Sequence, residues 1–331
     1  MSKVLMKNPS AGENTIKSRA IKSRSINKRL LPVSAQKWLV IGAFIIIPLL
    51  LLFTFTYLPF GEMVSYSFYK MKYVGEKTFV GLKNYKDLFA RKDIFNALKL
   101  SLYYMGGSVV QLTLALLLAT ILSFKTKFGN LFKGVLFFPF LINGIAIGFI
   151  FKFFFTRGFV FDTVLGWLGI PLEKLPYWLK TQGLNNVSLV GTSVWRYLGQ
   201  NMVLFIGAIM SVDPELYEAA ELDGANKVQQ FFHIILPSIK TIVTLNVILS
   251  ITGSLSAFEP PFVITKGANG TGTYFIIMDQ VAHTSQKVGL ASAMAVFLLC
   301  LIFIVTILQK IFFKYVFKNA DSGNSNGGSI L

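Results

Sequence analysis

Long apolar runs separated by short polar inserts set the pattern of this chain. Six runs, residues 38–60, 98–122, 134–155, 187–212, 239–264 and 289–312, each approach the roughly 20 apolar residues that a helix needs to cross the hydrocarbon core of a bilayer. None alternates with the period of a half-buried strand, and a membrane barrel would need many short amphipathic segments instead. The pattern predicts an all-α, polytopic membrane protein with six transmembrane helices, its spanning domain covering residues 38–317.

The insert at 213–237, DPELYEAAELDGANKVQQFFHIILP, differs from the others in its local chemistry. Asp213 suits an N-cap, Pro214 the first helical position where its missing N–H costs nothing, and Glu215 the positive end of the helix dipole. Leu216, Ala219 and Ala220 fall on one side of that short helix, small enough to let a partner surface approach. Gly224 can take a left-handed conformation and end it. Val228, Phe231, Phe232 and Ile235 trace a second apolar face before Pro237 opens the next run. Two short helices joined at a glycine are expected.

This segment resembles the cytoplasmic coupling loop of ABC-importer permeases, the EAA motif. Three residues separate Glu218-Ala219-Ala220 from Gly224, nine more separate Gly224 from Ile234, and Leu236-Pro237 close the pattern. The words DPELYEAA and LDGA are similar to the carbohydrate-uptake, maltose-type branch. FVGLKNY at 79–85 and GLASA at 289–293 are similar to outer segments of the same branch. The resemblance implies ATPase-coupling roles for Glu218, Ala219, Ala220, Asp223, Gly224, Leu236 and Pro237, with Glu218 meeting a cationic group of the ATPase.

Composition agrees with a membrane chain: 53% of the 331 residues are hydrophobic, 14% are charged, and there are 32 Phe. The net charge of +17 is concentrated at the N-terminus, where nine Lys and Arg in residues 1–37 face the single acid Glu13. By the positive-inside rule that end stays cytoplasmic, and six crossings place residues 123–133, the coupling loop and the C-terminus on the same side. Lys70, Lys72, Lys77, Lys83, Lys86, Arg91 and Lys92 in the expected outer loop 61–97 run against the rule. Residues 1–37 and 318–331 read as disordered cytoplasmic tails. The basic tail suits anionic lipid headgroups, and no aromatic interleaving or folded module points to nucleic acid.

Cys300 is the only cysteine, and His233 and His283 lie far apart in the expected topology, so no metal site is indicated. No phosphate-binding Gly-x4-Gly-Lys-Ser/Thr loop, nucleophile elbow or HExxH pair is present. The chain reads as no enzyme and as binding no cofactor of its own. Any ATP and Mg would belong to a partner ATPase.

Polar groups inside a bilayer are costly and are expected to face a cavity or the bundle interior. Trp195, Arg196, Gln200 and Asn201 cluster on the fourth run, and Glu259 near the outer part of the fifth is followed by Pro260 and Pro261, which should bend or end that helix. A ring face with amide and guanidinium groups suits a sugar, so these five residues are the candidate substrate path, with Arg196 as a countercharge for Glu259. Gly144 and Gly148 are expected to allow close helix packing.

The resemblance further implies a heterodimer with a second homologous permease, two ATPase subunits, an extracytoplasmic sugar-binding protein and a carbohydrate substrate, in the cell membrane. The alternative from the residues alone is a secondary active solute carrier. It needs intramembrane acids or a broken-helix ion site, for which only Glu259 offers anything.

Overall fold

The computed structural model describes residues 33–124 and 127–325, which leaves most of the basic N-terminal tail and residues 326–331 outside the description. Apart from one two-stranded hairpin, these residues form helices joined by turns, as the apolar runs required. The chain divides into two units, residues 1–59 and 60–331. The described part of the first unit is α1 (Val33–Leu52), with Pro48 inside it, followed by a π-helical turn at Phe53–Tyr57. A further helix, α2 (Leu58–Tyr66), starts at its end.

The second unit takes in most of α2 and continues with β1 (Tyr69–Lys70) and β2 (Thr78–Phe79), antiparallel with Tyr69 opposite Phe79. At the start of α3 (Lys83–Ala90), Asn84 donates from Nδ2 to the carbonyls of Ser67 (2.8 Å) and Tyr69 (2.9 Å). Gly289, near the start of the last helix, lies so close to the Tyr69 carbonyl that no Cβ would fit. The FVGLKNY and GLASA segments thus meet on one backbone oxygen, and both need the residue type they have.

Next come α4 (Lys92–Ser123), α5 (Gly129–Leu141) and α6 (Gly144–Phe155). The third apolar run is therefore two helices, bent by 98°, rather than one. Asn143 explains the break: its Oδ1 accepts the Ile145 N–H at 2.9 Å and caps a new helix in the middle of an apolar stretch. After α7 (Val160–Trp167) and a 3₁₀ turn at Leu172–Lys174, the 27-residue α8 (Leu184–Met210) leads to α9 (Pro214–Leu222) and α10 (Lys227–Gln230). A π-helical turn at Phe231–Ile235, α11 (Leu236–Ser238) and α12 (Lys240–Leu255) follow, then α13 (Tyr274–Asp279) and α14 (Val288–Ser325).

The fifth run also differs from expectation. Its helix ends at Leu255, before the two prolines, which instead begin a π-helical turn at Pro261–Thr265 with Pro260 as its N-cap. The Ala257 carbonyl is taken by the Thr273 hydroxyl at 2.7 Å, so the backbone freed by the break keeps a partner in the apolar surroundings.

By length and composition, three helices among the described residues can cross a membrane alone, Lys37–Tyr66, Lys92–Ser123 and Val288–Tyr315, and two bent pairs raise the number to five. That measure does not confirm six. The remaining expected span, α8, carries Asn185, Asn186, Arg196, Gln200 and Asn201.

Three apolar clusters of the described residues hold the second unit, and two of them are large. Leu112, Ala115 and Ala119 of α4 pack with Met202, Phe205 and Ile209 of α8, with Ile235 near the end of the polar insert and with Ile239 just beyond it. Ile94, Tyr274 and Met294 anchor another cluster, where the fully buried Tyr274 donates to the Met294 carbonyl at 2.8 Å. Glycine sets the closest approaches: at Gly199 of α8 an added Cβ would strike the Leu136 carbonyl of α5.

Candidate functional site

The polar insert forms the helix pair that its sequence dictates. The Asp213 carboxylate accepts the Glu215 N–H at 3.0 Å, and Pro214 occupies the first turn. At the other end Gly224 has φ +78°, with Gly224 N–H donating to Glu221 O (3.1 Å) and Ala225 N–H to Ala220 O (2.9 Å). That is a Schellman closure, which satisfies carbonyls the helix leaves open. Asn226 then starts α10 with a reciprocal capping box: its side chain accepts the Gln229 N–H at 2.9 Å, and Gln229 Oε1 accepts the Asn226 N–H at 2.8 Å. Three local devices between Asp213 and Gln229 fix the backbone of the elbow.

Glu218 stands exposed on α9, with no hydrogen-bond or ion-pair partner among the described residues. Ala219 and Asp223 are exposed and Ala220 half-buried, while Leu236 and Pro237 begin α11, where the elbow rejoins the apolar bundle. The elbow presents apolar surface to solvent: Leu222 is 90% exposed and Val228 65%. Beside them Lys227 Nζ donates to Glu221 Oε1 at 2.6 Å, which holds the Glu221 carboxyl below its usual range.

A cavity of about 390 Å³ lies among α4, α8, α12 and the segment after α12. Gln200, Asn201 and Glu259 line it. Arg196 and Glu259 form an ion pair from α8 to the broken fifth segment, and Arg196 also lies 5.0 Å from the Tyr197 ring. Gly144 makes room for the pair, since a Cβ there would collide with both partners. Gly148 likewise faces Val263, whose Cβ would sit 2.6 Å from an added methyl. Trp195 is not brought in: its ring packs edge-on against Phe151 at 5.2 Å. At about 100° per residue, position 195 is turned some 140° from position 200, so one helix face cannot present both.

Sequence reading missed the other walls. Tyr104, Ser108 and Gln111 of α4, and Asn246 and Ser250 of α12, face the same cavity. The Tyr104 hydroxyl is buried without a hydrogen-bond partner. The signal was there as polar residues at helical spacing within apolar runs, 104, 108, 111 and 246, 250. Only the folded chain shows that these stripes converge.

Comparison with known proteins fits this arrangement. Residues 111–318 match the model of the family described as binding-protein-dependent transport system inner membrane component. The arabinooligosaccharides transport system permease protein AraP of Halalkalibacterium halodurans is 33% identical over 253 residues, covering 74% of this chain and 78% of that protein. The multiple sugar-binding transport system permease protein MsmF of Streptococcus mutans is 29% identical over 270 residues, covering 80% and 92%. Among solved structures, a chain of a bacterial alginate ABC transporter, in complex with an alginate pentasaccharide-bound periplasmic protein, shares the fold with a TM-score of 0.74 at 18% identity, over 85% of this chain and 96% of that one. A family match over more than half the sequence, a relative of this identity and coverage, the elbow and the polar cavity agree: the chain belongs to the binding-protein-dependent transport system inner membrane components, the permeases of ABC transporters.

Proposed function

We propose that this chain is the membrane-spanning permease subunit of an ATP-driven importer for a carbohydrate, an oligosaccharide handed over by an extracytoplasmic binding protein. One observation carries the reading: α8 lines the polar cavity with Gln200 and Asn201 and, three residues after it ends at Met210, continues through Asp213 into the exposed elbow. A displacement of the elbow therefore acts only a short turn, Ser211 to Asp213, away from the helix that lines the cavity. The cavity offers hydroxyls and amides, which suit sugar hydroxyls, and its one acid is neutralised by Arg196.

In this reading α8 completes six spans, both termini are cytoplasmic, and the elbow meets one of two ATPase subunits. A second, homologous permease supplies the other half of the path in a heterodimer. Anionic lipid holds the basic tail, and nucleic acid has no part. The chain is not an enzyme; ATP and Mg are held and used by the ATPases. Glu218, with Ala219, Ala220, Asp223 and Gly224, forms the docking surface, and Leu236-Pro237 pass its movement into α12. Trp195 supports the path from behind, through Phe151. ATP and sugar each favour a different arrangement of one bistable bundle, which is how two distant sites become coupled. Family membership also sets aside the ion-gradient carrier, for which a binding protein has no role.

Co-purification tests the docking. Glu218→Lys is expected to reduce ATPase recovered with the permease by about tenfold, the loss of a favourable charge contact and the gain of a repulsive one. Full recovery of the ATPase with this variant removes Glu218 from the interface.

A further inference from the structure

Gln230 is the one fully buried polar side chain of the elbow, 1% exposed in a segment whose neighbours face solvent. Its Nε2 donates to the Ala225 carbonyl at 3.2 Å, directly after the Gly224 turn, and its Oε1 accepts from Lys227 Nζ at 3.2 Å. The same ammonium bonds Glu221 on α9 and lies 4.9 Å over the ring of Phe124, the residue that follows α4. Phe124 in turn meets Tyr217 of α9 edge-on at 6.2 Å. Two side chains therefore tie together α9, the turn, α10 and the end of a membrane helix.

The caps and the Gly224 closure set the backbone at each end of the turn, and these side chains are the contacts that cross from one helix of the elbow to the other. α9 has nine residues, a length at which a helix does not persist by itself, whereas α10 runs on through the π-helical turn into α11. Gly224 has open space where a Cβ would sit, so no wedge at the turn holds the angle. The Glu221–Lys227 pair is well exposed, 58% and 60%, and contributes little alone. A buried amide is different: without Gln230 the Ala225 carbonyl and the Lys227 ammonium both lose a partner.

We propose that Gln230 and Lys227 form a strut that makes α9 and α10 one rigid body and links it through Phe124 to α4, so that a push on α9 reaches the bundle instead of flexing the elbow. Both are positioning residues. The inference rests on the reading of the elbow as the ATPase contact, and it adds a third route into the membrane, through α4, beside α8 and α12.

The test uses the assembled transporter in vesicles and reads sugar taken up per ATP hydrolysed. Gln230→Met keeps length and burial but removes both hydrogen bonds; Lys227→Met removes the ammonium at an exposed site that tolerates substitution. Each is expected to lower the ratio by roughly tenfold, within the usual span of coupling energies, while the ATPase still co-purifies. Lys227→Arg, which keeps charge and aromatic contact, is expected to restore it to within about twofold. An unchanged ratio in Lys227→Met and in any Gln230→Met that assembles overturns the strut, as does a fall that merely tracks loss of the ATPase. Gly224→Val separates the two levels: if it uncouples and the strut variants do not, only the strut is wrong; if none of the three uncouples, the reading of the elbow is wrong as well.

Discussion

Arg196 on α8 and Glu259 after the break in the fifth segment close an ion pair directly over Gly144, the first residue of α6. Three separate segments thus depend on one another at the edge of the cavity. Gly144→Ala must displace either the helix or the pair, and overpacking of this kind costs about 1–3 kcal/mol. Transport is expected to fall about tenfold and thermal stability to drop measurably. Gly106→Ala, where the space is open, serves as the control and should leave both unchanged.

Breaking the pair from one side should cost more than removing it whole. Arg196→Met leaves the Glu259 carboxylate facing the cavity alone, whereas Arg196→Met with Glu259→Met leaves no charge behind. Denaturation of the four proteins of this cycle is expected to give a coupling energy of roughly 1–3 kcal/mol. Additive effects would show that the pair does not hold the segments together.

Gly224 needs its residue type for its backbone, not for space. Its φ of +78° strains any β-branched residue, while no atom stands within 4 Å of an added Cβ. Gly224→Val is expected to destabilise the turn by about 1–2 kcal/mol and to uncouple uptake from hydrolysis with membrane insertion intact. Gly224→Asn, which tolerates the left-handed region, should be several-fold less damaging in the same uptake assay.

The Glu221 carboxyl has a lowered pKa because Lys227 donates to it. A depressed carboxylate contributes stability above its unfolded pKa and loses it as the pH falls through the folded value. The gap in melting temperature between wild type and Glu221→Gln is therefore expected to be constant between about pH 6 and pH 8 and to close only in acid, below the ordinary carboxylate range. A gap that changes across neutral pH would assign it to another group.

The elbow was legible in the sequence because its determinants are local. Asp213, Pro214 and Gly224 act within a turn or two of their own positions, so their letters state their geometry. The Arg196–Glu259 pair was legible as a charge needing a partner. The break at Asn143 was not, since one capping residue is easily overlooked in an apolar run that looks continuous. The end of the fifth helix at Leu255 depends on Thr273, sixteen residues beyond the carbonyl of Ala257 that it satisfies. Tyr104, Gln111 and Asn246 share a cavity only because α4, α8 and α12 bring three faces together, and no single stretch of chain carries that information.

Coupling to an ATPase requires the elbow on the cytoplasmic side of the membrane, and labelling decides where it lies. A single cysteine at position 218, in a chain whose native Cys300 is replaced by serine, can be probed with a membrane-impermeant maleimide. The account predicts labelling in inside-out vesicles, protection when the ATPase subunits are bound, and none in intact cells. Labelling in intact cells would put the elbow beyond the reach of any cytoplasmic ATPase and contradict the account.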